Sequence, residues 1–148
     1  KNLSIYLFGF YLMNLLIKAG LDTFYIGAES GSNKTLKKIN KQFSTDTIIK
    51  ANNYLKKFQI KIEYTFMVGF PFEDKKDIED TFLLIKKLKK ENINAMIWKI
   101  NYYTPYPGTK LYEEYKNEIN LPKSLIEWSN FDWYRNDFSQ VKYDLKLR

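Results

Sequence analysis

The chain has 148 residues, 45% of them hydrophobic, enough for one globular domain with a core but fewer than the roughly 250 of a complete eight-fold α/β barrel. It contains neither cysteine nor histidine, which excludes disulfides, Cys/His zinc sites, thiolate-held iron–sulfur clusters and histidine-based acid–base catalysis within this chain. The net charge of +7 comes almost wholly from lysine, since Arg135 and Arg148 are the only arginines, and this disfavours nucleic-acid readout.

The N-terminal apolar stretch, YLFGFYLMNLLI, is interrupted by Gly9 and Asn14 and is shorter than the about 18 residues of a membrane span. No small-residue cleavage site follows it, as a signal peptide requires. We therefore expect a cytoplasmic protein without a membrane span. The stretch predicts a helix over residues 11–18 that ends at Gly20, followed by a strand over residues 23–28.

Two further helix-and-strand pairs follow along the chain. The predicted elements are a helix capped by Ser44 or Thr45, a strand over 61–68, a helix capped by Asp74, a strand over 95–103, and a short helix capped by Thr109 that runs through Tyr115. The apolar stripes of the two long helices are Ile48, Ile49, Ala51, Leu55 and Phe58, and Ile78, Phe82, Ile85 and Leu88. The wholly apolar second half of the 61–68 segment predicts a strand buried on both faces.

The spacing of the strands, each separated by a helix, is typical of β-α-β units in a parallel sheet. Three parallel strands leave two unpaired edges, which stable proteins normally cover. We therefore expect this chain to be a piece of a longer polypeptide whose upstream half completes the sheet. Alone, it should cover the edge of its first strand with residues 2–10 or self-associate along that edge.

Ligands of parallel α/β sheets bind where the strands end, so each strand end is a candidate site. The predicted ligand-contacting residues at the three ends are Gly27, Glu29 and Ser30; Val68, Gly69 and Pro71; and Tyr103, Thr104 and Pro105. Glu29 and Ser30 can hydrogen-bond hydroxyls or an ammonium group, or merely bond the backbone or cap the next helix. Gly69 and Pro71 can equally serve only to set a turn, with Glu73 and Asp74 complementing a helix dipole.

Three segments in this order, AGLDTFYIGAESGSNKTLKKINK, YTFMVGFPFEDKKDIEDTFLLIKKL and NYYTPYPGTKLYEEY, resemble the latter half of the radical S-adenosylmethionine (SAM) barrel. The resemblance covers about residues 15–115 and is to the subfamily that often has a cobalamin-binding domain, such as anaerobic magnesium-protoporphyrin ester cyclases and related methyltransferases and methylthiotransferases. It implies a partial barrel of six β/α units, of which the three strands here are the fourth, fifth and sixth.

The resemblance implies an enzyme that uses a [4Fe–4S] cluster to cleave SAM reductively for radical chemistry or methyl transfer, in some members with cobalamin. Glu29 and Ser30 would then contact the ribose or the methionine part, residues 68–69 shaped by Pro71 would pack against adenine, and the backbone of residues 103–105 would meet its edge. Glu73 is assigned to orienting the loop. The cluster-binding C-x-x-x-C-x-x-C loop would lie upstream, so we expect this chain to be inactive alone. The resemblance also implies a small-molecule substrate but does not specify which one.

The predicted domains are the partial barrel, residues 1–118, and a C-terminal extension, residues 119–148, packed on it. The extension is irregular and rich in aromatic residues, which either cover the barrel or form a substrate or partner surface: Trp128, Phe131, Trp133, Tyr134, Phe138 and Tyr143. Two alternatives to the radical SAM interpretation stay open, a non-catalytic α/β interaction or binding module, and a complete enzyme of another class with Glu29 and Glu73 as a carboxylate pair.

Overall fold

Helices and strands alternate in the computed structural model, which describes residues 2–118 and 124–129. In chain order the elements are α1 (Asn2–Lys18), β1 (Thr23–Glu29), α2 (Asn33–Lys38), α3 (Thr45–Leu55), β2 (Lys61–Val68), α4 (Lys75–Glu91), β3 (Ala95–Tyr102), α5 (Lys110–Tyr115) and α6 (Leu125–Ser129). This order confirms the predicted α/β class. The helices differ from the prediction in three details: α1 begins earlier, a separate short helix, α2, precedes α3, and α6 lies within the extension that was predicted to be irregular.

The three strands form one parallel sheet in the order β1-β2-β3, as the helix-length connections predict. Gly27 of β1 lies beside Thr65 of β2, and Val68 of β2 lies beside Tyr102 of β3. Because the strands run the same way, their carboxyl ends lie at one edge of the sheet. Within the described ranges, the outer edges of β1 and β3 pair with no further strand.

Side-chain caps fix where the two long crossover helices begin. The Ser44 side chain accepts a hydrogen bond from the backbone N–H of Thr47, and the Thr47 side chain bonds back to the Ser44 amide, so Ser44 rather than Thr45 caps α3. Asp74 and Asp77 form the same reciprocal arrangement at the start of α4, which confirms the predicted cap. Each arrangement satisfies two N–H groups that the first helical turn leaves without partners.

Gly20 ends α1, as predicted. Its N–H donates to the carbonyl of Ile17 at 3.0 Å, and the N–H of Leu21 donates to the carbonyl of Leu16 at 2.9 Å. These two bonds and the positive φ of Gly20, 101°, make a Schellman motif, which favours glycine because a side chain is unfavourable in this backbone region. The chain then turns directly into β1.

One face of the sheet forms the core, to which helices α1 to α4 all contribute. Its buried members include Met13, Ala28, Leu36, Ile48, Leu55, Ile62, Tyr64, Phe66, Leu84 and Leu88. The opposite sheet face is called here the open face, and it presents Tyr25, Gly27, Glu63, Thr65, Met67, Met96, Trp98, Lys99 and Asn101. Side chains of β2 alternate between buried and partly exposed, so the expected burial of β2 on both faces is wrong for the described part of the chain.

The buried stripe of α4 also differs from the prediction. Thr81 and Leu88 are fully buried and mark the direction of the core, whereas Phe82 is 45% exposed. Successive helical residues are about 100° apart, so Phe82 points well away from Thr81. Leu84, which the predicted stripe did not include, is a buried core residue.

Residues 2–10, predicted as one possible cover for the free edge of β1, form the first part of α1, and their covering of that edge stays a prediction. Self-association along that edge stays a prediction. Of the helices in the described residues, none combines the length and apolar character that crossing a membrane requires. The predicted C-terminal extension, with its aromatic side chains, lies largely outside the described residues, so the division into two domains stays a prediction.

Candidate functional site

The candidate site lies at the edge of the sheet where the three strands end. Glu29 is the last residue of β1, Gly69 follows β2, and Tyr103 follows β3. The N–H of Tyr103 donates to the carbonyl of Val68 at 2.8 Å, so β2 and β3 stay paired past the end of β3. A Cβ atom on Gly69 would lie 3.3 Å from Cδ1 of Tyr102, so these residues are in contact. The structure thus brings the predicted strand ends together.

Gly27 leaves room for the carboxylate of Glu29. The register of β1 against β2 shifts between these two residues, and Glu29 has a left-handed backbone with φ of 63°. A Cβ atom on Gly27 would lie 2.8 Å from Oε1 of Glu29 and 3.8 Å from Oγ1 of Thr65. Since Thr65 projects from the open face, the Glu29 carboxylate lies over Gly27 on that same face.

Lys41 is the partner of Glu29, with 3.0 Å between Nζ and Oε1. Both side chains are partly exposed, and the Lys41 ammonium also lies 5.9 Å from the ring centre of Phe43. Sequence reasoning missed Lys41, because it lies in no recognisable motif and only the folded loop after α2 brings it to Glu29. Ion pairs as exposed as this one contribute little to stability, so its groups can exchange partners with a ligand.

Ser30 is fully buried beside α4. Its hydroxyl lies 3.2 Å from that of Thr81 and accepts a hydrogen bond from the Ser32 amide at 3.1 Å. These contacts match the alternative that the Ser30 side chain bonds the local framework. The helix cap is Ser32, whose side chain accepts from the N–H of Thr35. The predicted contact of Ser30 with a ligand stays a prediction, and the residue as a whole is fully buried.

Glu73 fixes the loop after β2. Its Oε2 accepts from the amides of Gly69 and Phe70 at 2.7 and 3.1 Å, and its Oε1 accepts from the Thr35 hydroxyl at 3.2 Å. Burial raises the pKa of Glu73, and the hydrogen bonds oppose that shift only in part. These contacts agree with the loop-orienting role assigned to Glu73. Since the framework engages both of its oxygens, they do not favour pairing with Glu29 in catalysis.

An aromatic wall, formed by Phe70, Phe72, Tyr103 and Tyr115, supports the ends of β2 and β3. The ring centres of Phe70 and Tyr103 lie 4.8 Å apart, and those of Phe70 and Phe72 lie 5.4 Å apart. Lys38 of α2 lies over the rings of Phe72 and Tyr115. Burial raises the pKa of Tyr103, which keeps the hydroxyl protonated.

The remaining predicted residues lie on or beside this wall. Pro71 and Thr104 are half-buried, whereas Pro105 is fully buried. Thr109 caps α5, as predicted, by accepting a hydrogen bond from the N–H of Tyr112. The turn after β3 exposes Tyr106 and residues 107–109, whereas Thr104 is half-buried.

The open face below the strand ends has two exposed aromatic residues that sequence reasoning missed. Tyr25 and Trp98 are each 63% exposed, and their rings pack edge to face with centres 5.9 Å apart. Trp98 occupies the position where the register of β3 shifts against β2. Such irregularities redirect side chains. The two register shifts in this sheet lie at Glu29 and at Trp98, and both side chains lie on the open face.

The chain has no cysteine that could bind an iron–sulfur cluster. In the described portion, no three His, Cys, Asp or Glu side chains are grouped to hold a metal ion. An open parallel sheet with polar groups at its strand ends is nevertheless the arrangement by which α/β barrels and related folds bind small molecules. The strand ends are therefore a candidate small-molecule-binding site of an α/β protein.

The radical SAM superfamily matches residues 2–85, more than half of the chain, and the chain belongs to that superfamily. It is 36% identical over 104 residues to a tRNA-2-methylthio-N(6)-dimethylallyladenosine synthase of Petrotoga mobilis, covering 69% of this chain and 22% of the relative. It is 35% identical over 116 residues to an uncharacterized methyltransferase of Pyrococcus horikoshii, covering 78% of this chain and 24% of the relative. The chain thus spans about a quarter or less of these relatives.

These relatives confirm the radical SAM resemblance at the level of the superfamily. The narrower resemblance, to members with a cobalamin-binding domain, is not confirmed by them. The three-stranded parallel sheet with flanking helices is consistent with a partial barrel.

Proposed function

We propose that this chain forms the part of a radical SAM catalytic domain that binds the adenosyl and methionine portions of SAM, while the upstream half of the same polypeptide supplies the cluster ligands. Membership of the superfamily supports the class of enzyme. The observation on which the site proposal depends is the ion pair of Glu29 and Lys41 on the open face, beside the ends of β2 and β3.

The methionine portion of SAM has an ammonium and a carboxylate, and its ribose has hydroxyls. Glu29 can accept hydrogen bonds from the ammonium or the hydroxyls, and Lys41 can donate to the carboxylate. Without a ligand the two side chains neutralise each other at 3.0 Å. A ligand with both charges replaces one ion pair by two, so neither protein charge is left unpaired.

The other two strand ends would hold the adenine. Residues 68–69, shaped by Pro71, would pack against the ring, and the backbone of residues 103–105 would meet its edge. Glu73 supports this assignment, because its bond to the Gly69 amide fixes the direction of the loop. Gly27 would contribute by leaving the space in which the Glu29 carboxylate lies beside the ligand.

Nuclear magnetic resonance of the isotopically labelled chain tests this binding site. Addition of SAM or S-adenosylhomocysteine should shift the amide signals of Glu29, Lys41 and Gly69 at millimolar concentration, since half of the contacts are missing. Glu29→Gln and Lys41→Met should weaken the response about tenfold each, because each leaves one ligand charge unpaired. Lys37→Met, which removes a lysine of α2 at a different place, is the matched control. Unchanged titration of both site variants would refute the assignment.

The function of the whole protein is a broader proposal. We infer reductive cleavage of SAM for radical chemistry or methyl transfer by a cytoplasmic enzyme, with cobalamin as an optional second cofactor and a small-molecule substrate. The encoding gene should contain in-frame codons for a C-x-x-x-C-x-x-C loop before this segment. The longer product, purified without oxygen, should show cluster absorption and form deoxyadenosine, whereas this chain alone should do neither. A gene without these codons would end the enzymatic interpretation.

A further inference from the structure

Residues 30–32, which connect β1 to α2, lie directly against the first half of α4. A Cβ atom on Gly31 would lie 2.3 Å from the carbonyl oxygen of Asp80 and 2.5 Å from Cα of Thr81. Both distances are far shorter than a van der Waals contact. The backbone of this connection therefore touches the backbone of the helix, at a place where only glycine fits.

The Thr81 hydroxyl forms three hydrogen bonds at this junction. Its single hydrogen is donated to the carbonyl of Asp77 at 3.0 Å, so toward the connection it acts only as an acceptor. The amide of Gly31 donates to it at 2.9 Å. The Ser30 hydroxyl lies 3.2 Å away and must be the donor in that pair. Thr81 therefore binds two consecutive residues of the connection.

Asp77 anchors the far end of the same connection. Its Oδ1 accepts from the Ser32 hydroxyl at 2.6 Å, and its Oδ2 lies 2.5 Å from Nζ of Lys34. Asp77 is buried, and it also accepts from the Asp74 amide at 3.0 Å. The end of the connection at Ser32 is thus fixed independently of Thr81.

Glu29, which directly precedes the connection, has an unusual backbone conformation. A left-handed φ of 63° is less favourable than a right-handed one for any residue with a Cβ atom, and such a conformation persists only where surrounding contacts enforce it. In this conformation the Glu29 carboxylate lies over Gly27 on the open face. The N–H of Ser30 donates to the carbonyl of Ala28 at 2.8 Å and closes a tight turn around Glu29, and directly after it Ser30 and Gly31 contact Thr81.

We propose that Thr81 is a positioning residue of the ligand site: its hydroxyl holds residues 30–31 against α4 and thereby keeps Glu29 in the left-handed conformation that presents its carboxylate. The importance of this carboxylate rests on the proposed function. The geometry that Thr81 maintains exists without a ligand and can be measured without one.

The test compares Thr81→Val with Thr81→Ser in the full 148-residue chain, labelled with ¹⁵N and ¹³C. Valine keeps the branched shape and removes the hydroxyl, whereas serine keeps the hydroxyl. In Thr81→Val, hydrogen exchange of the Gly31 amide should be faster by about tenfold, as expected for the loss of one buried hydrogen bond. The ¹³C shifts of Glu29, which report its φ, should leave the left-handed range. Thr81→Ser should match the wild type in both measurements.

Two results would overturn the proposal. One is a Thr81→Val protein with faster exchange at Gly31 but unchanged Glu29 shifts, since Thr81 would then support the fold without positioning Glu29. The other is a change of the Glu29 shifts in Thr81→Ser, which retains the hydroxyl. Thermal unfolding of each variant shows whether it is folded. If Thr81→Val does not fold, the Glu29 shifts of Thr81→Ser test the proposal.

A titration with S-adenosylhomocysteine separates this proposal from the function on which it rests. Wild type and Thr81→Ser should respond at Glu29 and Lys41, and Thr81→Val should respond several-fold more weakly. No response in the wild type would count against the proposed function alone. A wild-type response that Thr81→Val retains in full would count against the role of Thr81.

Discussion

The side-chain amide of Asn92 donates to Asn52 twice, to its backbone carbonyl at 3.1 Å and to its Oδ1 at 3.3 Å. Asn52 in turn donates to the carbonyl of Leu88 at 3.1 Å and accepts from the Tyr64 hydroxyl at 3.1 Å. All four residues are fully buried. Burial raises the pKa of Tyr64 to about 12, so its hydroxyl remains a donor at neutral pH. One amide thus joins α3, the end of α4 and β2.

We predict that Asn52→Ala lowers the free energy of unfolding by about 2–4 kcal/mol, because it leaves the Tyr64 hydroxyl and the Asn92 amide short of partners. The neighbouring Asn53 is exposed, and its amide donates to Glu91 at 3.2 Å. Asn53→Ala is therefore the control and should change stability by less than about 0.5 kcal/mol. Urea unfolding followed by circular dichroism measures both, and equal losses would contradict the prediction.

Gly31→Ala should destabilise the protein more than Gly20→Ala does. At Gly20 an added Cβ atom meets nothing within 4 Å, so only the positive φ is penalised, by roughly 1–2 kcal/mol. At Gly31 the added atom overlaps the backbone of α4, and we expect a loss of about 3 kcal/mol or more. Thermal unfolding of both variants under the same conditions makes the comparison. A smaller effect at Gly31 would show that the connection can move away from α4.

The elements of the fold were predictable from sequence where one local signal determines each of them. Gly20 ends α1 and Asp74 begins α4 through contacts within a few residues, and β2 matches its predicted range of residues 61–68. The exposure of Phe82 was not predictable in this way. Its position at the margin of the apolar stripe depends on how α4 rotates to place Thr81 against Gly31, a contact between distant segments.

The same distinction between local signals and long-range contacts applies to the site. Glu29 and Gly69 were predicted as site residues because they stand in recognisable motifs, and the structure places both at strand ends. Lys41, Thr81 and Asp77 were missed, because each becomes important only through a contact that folding creates, such as the pair of Lys41 with Glu29. Because lysine is so common in this chain, the presence of a lysine at position 41 does not by itself indicate a binding role. Burial of a charged residue like Asp77 is equally invisible until α2 is packed against α4.

Asp77 should make the fold sensitive to acid. Burial on its own raises the pKa of Asp77, but hydrogen bonds from Lys34 and Ser32 outweigh this and hold the pKa below its ordinary value. A depressed pKa in the folded state means that the stabilisation is present above the unfolded value of about 3.9 and is lost as the pH falls through the folded value. We predict that the stability of the wild type declines below about pH 4 more steeply than that of Asp77→Asn.

Urea unfolding at a series of pH values measures this difference. Glu79→Gln, on the exposed side of α4 where Glu79 lies 3.6 Å from Lys75, is the control and should leave the steepness unchanged. Glu73 has the opposite effect on the pH dependence of stability. Because its pKa is raised in the folded state, its contribution to stability is lost as the pH rises. Parallel curves for the wild type and Asp77→Asn would contradict the assigned role of Asp77.

The free edge of β1 should cause the chain to self-associate as its concentration rises. β1 pairs with β2 on one side, and within residues 2–118 and 124–129 no strand covers its other side. Unpaired strand edges bind one another unless charged residues prevent it. Tyr25→Lys places a charge on β1 at an exposed position and should lower the average mass measured by light scattering. Phe82→Lys, which removes a similarly exposed aromatic residue from α4, is the matched control and should leave the mass unchanged. A chain that stays monomeric at all concentrations, or that Phe82→Lys alone makes monomeric, would show that the edge of β1 is not the contact.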